Sequence, residues 1–146
     1  MINRFEGKYF FLSNFSNSEF CYEGITYPTV EHYFQAQKTL DIKERERIAK
    51  LPTPGEAKYA GRRVELRKDW EEVKDSVMLI GLYHKFKDPV LREKLLATGD
   101  EHLEEGNYWH DTYWGVCDGV GKNRLGELLM TVRKEVQNGW YDNPLD

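Results

Sequence analysis

The sequence is short of several things, and each shortage removes a class of protein. No run approaches the roughly twenty apolar residues that a membrane span needs, and Met1-Ile2-Asn3-Arg4 does not begin a secretory signal. Only two cysteines occur, Cys21 and Cys117, neither in a CxxC pair. Free thiols in a reducing cytoplasm are therefore expected, and no thiol mechanism. The four histidines, His32, His84, His102 and His110, show no HExxH or similar spacing, so neither a metal nor a cofactor is expected. Positive charge is in deficit. A formal net charge of -4 argues against a general nucleic-acid coat or a binder of anionic membranes, while leaving room for a local basic pocket. Repeats, linkers and low-complexity tracts are missing as well.

Against these absences stands a high share of large rings, 14% of all residues. In so polar a chain they must carry much of the core or line a cleft. At 146 residues the chain is expected to make one domain spanning residues 1–146. Phe20 to Tyr27 reads as a hairpin turning at Glu23-Gly24. From Thr29 onward helical signals dominate. Asp41 with Glu44 and Thr53 with Glu56 fit capping boxes, the second with Pro54 at the first helical position. Asp69 with Glu72 is expected to cap the longest helix, Trp70 to Lys87, along an apolar stripe of Trp70, Val73, Val77 and Ile80. Asp88-Pro89 starts another helix ending near Thr98-Gly99. Periodicity vanishes between Asp100 and Lys122, and a last helix runs from about Asn123 to Gln137. The fold class is α+β, predominantly helical, with a small N-terminal β element.

The stretch richest in chemistry is Tyr27-Pro28-Thr29-Val30-Glu31-His32-Tyr33-Phe34-Gln35-Ala36-Gln37-Lys38. Thr29 caps a helix whose Glu31, Gln35 and Lys38 follow at spacings of four and three, on one face. The helix dipole favours ionised Glu31 in the first turn, where it is placed to meet developing positive charge. The alternative is a solvated surface stripe. Asp111 lies in the irregular segment beside Trp109, Tyr113 and Trp114. Rings can desolvate a carboxylate for acid–base work, but a turn aspartate bonded to nearby backbone explains it equally well. Glu31 and Asp111 together suit the two-carboxylate logic of glycosidic bond cleavage. Gly119-Val120-Gly121-Lys122-Asn123-Arg124 lacks Walker A spacing; a phosphate cradle at the helix start competes with a plain glycine turn, which is favoured. Lys58, Arg62 and Arg63 make either a phosphate contact or a solvated basic face. Trp70 leads an apolar stripe and reads as core, whereas Trp114, on a loop, is the better stacking platform. His84 reads as a hydrogen-bonded core residue.

Taken together, the motifs resemble the NADAR (YbiA-like) N-glycosidases. Phe11-Leu12-Ser13-Asn14-Phe15 and Glu31-His32-Tyr33-Phe34-Gln35-Ala36-Gln37-Lys38 carry the first two signatures. Ala57-Lys58-Tyr59-Ala60-Gly61-Arg62, Lys68-Asp69-Trp70, Asp111-Thr112-Tyr113-Trp114-Gly115 and Gly121-Lys122-Asn123-Arg124-Leu125-Gly126-Glu127-Leu128-Leu129-Met130 follow in order, covering about Arg4 to Val136. The resemblance implies a hydrolase of N-glycosidic bonds at a ribose carbon. Its substrate would be a small nucleotide-like molecule, either a phosphoribosylamino-pyrimidine intermediate of riboflavin synthesis or guanine carrying ADP-ribose, which extends to ADP-ribosylated nucleic acid. By motif position, Glu31 and Asp111 are the acidic candidates. Ser13 would contact substrate, and Asn14 and Asn123 would orient the sugar. Lys38, Lys58 and Arg62 would meet phosphate, and Trp70 and Trp114 would shape or stack on the base. Lys38 has a second available role, as an amine forming a Schiff base with an opened ribose, and Glu105 is a minor acidic candidate. The rival class is a non-catalytic ADP-ribose or NAD-binding module, which would bind saturably without releasing base; an antitoxin-like partner of an ADP-ribosylating toxin is a third reading.

Overall fold

A computed structural model describes residues 1–142; the last four residues of the domain expected from the sequence lie outside the described residues. The chain divides into two compact units, residues 14–85 and residues 1–13 with 86 onward. Helices predominate, as expected.

In residues 14–85 the hairpin strands β1 (Phe20–Tyr22) and β2 (Ile25–Tyr27) pair antiparallel, with Cys21 opposite Thr26. Glu23 and Gly24, with φ of 49° and 82°, make the doubly left-handed turn that suits strand twist. Cys21 is an exposed free thiol. Helix α1 (Val30–Ala36) then begins at Thr29, whose hydroxyl accepts from His32 N–H at 3.1 Å. Three helices follow and pack around it: α2 (Ile42–Ala49), α3 (Pro54–Gly61) and α4 (Trp70–Lys85). Asp41 and Thr53 cap α2 and α3 as expected. All seven residues of α1 are buried, polar ones included. A seven-residue helix has little stability alone, so this surrounding shell is what holds it.

Two expectations for α4 fail. Asp69 does not cap: both its carboxylate oxygens accept from Arg67, at 2.7 and 3.1 Å. The buried face is Trp70, Val77, Met78, Gly81, Leu82 and Lys85, while Val73 is half-buried and Ile80 is exposed. The face rotates because α4 lies against α1: the Tyr33 ring fills the place where a Cβ of Gly81 would stand, and Tyr33 donates to Val77 O at 2.9 Å. His84 is half-buried and stacks on Phe20, with ring centroids 5.4 Å apart.

The other unit opens with a 3₁₀ helix, Gly7–Leu12; the bond from Ser13 N–H to Phe10 O at 2.9 Å closes it. Helix α5 (Pro89–Leu96) is capped by Asp88, and α6 (Arg124–Gln137) buries Leu125, Leu128, Leu129 and Val132, leaving Val136 half-buried. A second 3₁₀ turn, Trp140–Asp142, packs on α6. Residues 100–122 form the irregular segment that the lost periodicity indicated.

Candidate functional site

In residues 14–85 the sequence candidates gather around α1. Glu31 is 7% exposed and Gln35 is 4% exposed, so the solvated-stripe reading is overturned. The spacing of four brings Gln35 Nε2 to 2.6 Å from Glu31 Oε2, donating to it. Lys38 lies beyond the helix, which ends at Ala36. Its backbone is held from elsewhere: Lys38 O accepts from Arg67 N–H at 2.8 Å. The Lys38 amine stands 5.8 Å from the Phe34 ring centre and 5.9 Å from that of Trp70. Burial lowers its proton affinity first; charged Glu31 opposes that, and Arg62 and Lys58 add to the lowering. Trp70 is buried against Phe34, with centroids 5.1 Å apart, so it is part of the core and also a wall beside Lys38. Lys58 is half-buried and Arg62 is exposed at the end of α3, while Arg63 bonds Tyr59 Oη at 3.0 Å.

Asn14 is 8% exposed. Its backbone carbonyl accepts from Glu31 N–H at 3.1 Å, and its amide nitrogen reaches only the weak acceptor Met78 Sδ, at 3.4 Å. Its Oδ1 is buried with no hydrogen-bond partner. A buried amide oxygen left unpaired costs stability, and a donor on a bound molecule would relieve it. Alongside, His32 is fixed as one tautomer. Nε2 is 2.9 Å from Leu51 O, a pure acceptor, so Nε2 carries the proton and Nδ1 accepts from the Thr29 hydroxyl at 2.8 Å. Burial lowers its proton affinity and favours the neutral ring.

Asp111, Trp114 and Asn123 belong to the other unit, as does half-buried Ser13. Asp111 Oδ1 accepts from the N–H groups of Tyr113 and Trp114, at 3.1 and 2.9 Å: the turn-aspartate geometry. Trp114 is half-buried and meets Tyr113 edge-on. Asn123, in the left-handed region at φ 54°, uses both ends of its amide, accepting from Glu105 N–H and donating to Leu103 O, each at 2.9 Å. The N–H groups of residues 122–125 donate in turn to the carbonyls of Thr112, Gly115, Tyr113 and Trp114. Those are donors a phosphate cradle would have needed, so the glycine segment is a turn. Asn107, which the sequence did not single out, braces this loop. It accepts from Asp111 N–H at 3.1 Å and donates to Asp111 O at 2.9 Å. Half-buried Glu105 accepts from the same amide at 3.0 Å. Loop asparagines are common, and nothing local marked this one. Among the described residues no group of three or more His, Cys, Asp or Glu is placed to hold a metal ion, and no helix is long and apolar enough to cross a membrane.

Comparison with known proteins gives one consistent answer. The NADAR domain profile matches residues 2–137. The chain is 47% identical over 128 residues to the N-glycosidase YbiA of Escherichia coli, covering 85% of this chain and 79% of that protein. An N-glycosidase of Nostoc punctiforme is 41% identical over 133 residues, covering 86% and 85%. A riboflavin biosynthesis protein of Vibrio vulnificus is 37% identical over 131 residues, 87% of this chain but 35% of that one. Among solved structures, the NMR structure of Escherichia coli YbiA superposes with a TM-score of 0.85 at 42% identity, covering 99% of this chain and 89% of the other.

Proposed function

The chain belongs to the NADAR domain family, and from that premise we propose that it is a hydrolase that cleaves the N-glycosidic bond between a base and a phosphoribosyl or ADP-ribosyl group. The observation that carries this reading is the buried Glu31 carboxylate, hydrogen-bonded by Gln35 and within electrostatic reach of Lys38. As the bond from the sugar C1′ to the base nitrogen lengthens, C1′ and the ring oxygen gain positive charge. A carboxylate with restricted access to water stabilises that charge far better than one in bulk solvent. The unpartnered Asn14 Oδ1 suits a ribose hydroxyl, which would supply the missing donor. Trp70 walls the base side, and Lys58 and Arg62 meet phosphate.

The bonding electrons leave with the base, which must gain a proton. Two routes then lead to free sugar. Water adds to C1′ directly, or the neutral Lys38 amine adds first, the ring opens to a Schiff base, and water hydrolyses it. The lowered proton affinity of Lys38 enlarges its neutral share and favours the second route. Asp111, Trp114, Asn123 and Ser13, in the other unit, are candidates by family motif alone: Asp111 for acid–base work, Trp114 for stacking, Ser13 for a substrate contact and Asn123, whose amide is engaged by Glu105 N–H and Leu103 O, for orienting a sugar.

The substrate class is chosen by assaying base release chromatographically from a phosphoribosylamino-pyrimidine and from ADP-ribosylated guanine, free and in nucleic acid. The Vibrio relative's name favours the first. Release from at least one substrate is expected, with a borohydride-trapped adduct on Lys38 if the amine route operates. Saturable binding with no free base from any of them would replace the hydrolase reading by a binding module.

A further inference from the structure

We propose that Gln35 is a positioning residue for Glu31, holding the carboxylate in one orientation and in its ionised form. The inference deepens the reading of Glu31 as the group that meets charge at the sugar. Both ends of the Gln35 amide face protein: the nitrogen meets Glu31, and the oxygen lies against Gly61, where any Cβ would collide with it. That oxygen has no hydrogen-bond partner, whereas the nitrogen donates to Glu31 Oε2 at 2.6 Å. The amide therefore has only one workable orientation. Turned over, it would set its oxygen against the carboxylate and its N–H group against the Gly61 Cα, which accepts nothing. The unpartnered oxygen is a cost tolerated in order to keep the donor aimed.

A hydrogen bond to the charged form of a carboxylate favours that form, so the amide keeps Glu31 ionised despite its burial. Gly61 is the second half of the device, because its missing side chain makes room for the amide.

The test follows the Glu31 carboxyl carbon by NMR in protein labelled with ¹³C-glutamate, its resonance identified by its loss in Glu31→Gln. In Gln35→Met, which matches the volume but has no donor, the Glu31 titration midpoint is expected to rise by about one to two pH units. Gln35→Glu should move it further, since two adjacent carboxyls then compete for one proton. If Gln35→Met does not fold, Gln35→Glu and Gly61→Ala, which displaces the amide, carry the same test. The acid limb of the base-release profile should move with the NMR midpoint, whereas a loss of packing alone would lower the rate without moving it. An unchanged Glu31 midpoint in folded variants overturns the positioning role. The titration uses no substrate, so it stands even if wild-type protein releases no base, and that failure would strike only the hydrolase reading.

Discussion

Residues 14–85 and residues 86–142 satisfy their buried polar groups in different ways. In the first, bonds from side chain to side chain, Gln35 to Glu31, Thr29 to His32 and Lys85 to Ser16, stand beside bonds to backbone carbonyls from His32, Tyr33 and Arg45. In the second, they mostly run from side chain to backbone. Asn107 and Asn123 hold carbonyls and N–H groups of residues 103–111, Asp111 holds those of Tyr113 and Trp114, and Arg133 reaches Glu101 O. Side-chain partners tune protonation and charge. Backbone partners set the path of a loop. Substitutions at the side-chain pairs of the first region should therefore change chemistry at constant shape, and those at the loop-bracing residues of the second should change shape first.

The largest effect expected is from Glu31→Gln, which nearly preserves volume and should stay folded by circular dichroism. It should lose base release by about 10²–10³-fold, the scale of removing one electrostatic stabiliser; full activity would remove Glu31 from the mechanism. Next is Lys85. It is fully buried, and burial pushes its amine down to about 7. Its folded value lies below its unfolded one, so the unfolded chain binds the extra proton between about pH 7 and the ordinary lysine value near 10.5. Stability should rise with pH across that window, by a few kcal/mol in order of magnitude, and level off beyond it. Denaturant melts of Lys85→Met should show that rise flattened.

Gly81→Ala should cost about 1–3 kcal/mol of stability, because the new methyl meets the Tyr33 ring; a thermal melt reads this directly. The smallest effect sharpens the comparison most. Asp111→Asn keeps an acceptor for the Tyr113 and Trp114 N–H groups and should change stability by less than about 1 kcal/mol. If Asp111 only shapes the loop, base release survives the change to Asn and falls in Asp111→Ala. If it moves a proton, both variants lose activity.

What the sequence disclosed divides along similar lines. Thr29, Asp41 and Thr53 cap as expected, and Asp88 caps the helix that Asp88-Pro89 was read to start, because a cap depends on its next two or three residues. Asp69 failed because Arg67, two positions away, captured its carboxylate, and no propensity weighs that competition. The Glu23-Gly24 turn was readable for the same local reason as the caps. The burial of α1 was not, since it depends on three helices arriving from later in the chain. Among candidate residues, Glu31 and Lys38 stood out through spacing and family motifs alike. The bracing by Asn107 is local but carried no mark in the sequence, whereas the seat of the Gln35 amide oxygen against Gly61 and the grip of Arg67 on the Lys38 carbonyl emerge only once distant segments meet.

The hairpin offers something practical to whoever takes up these measurements. Its outward sulfhydryl at position 21 is open to a maleimide, while the one at position 117 is buried. One dye or spin label per natural molecule can therefore be attached at a known point on β1, with no engineering of the residues around α1.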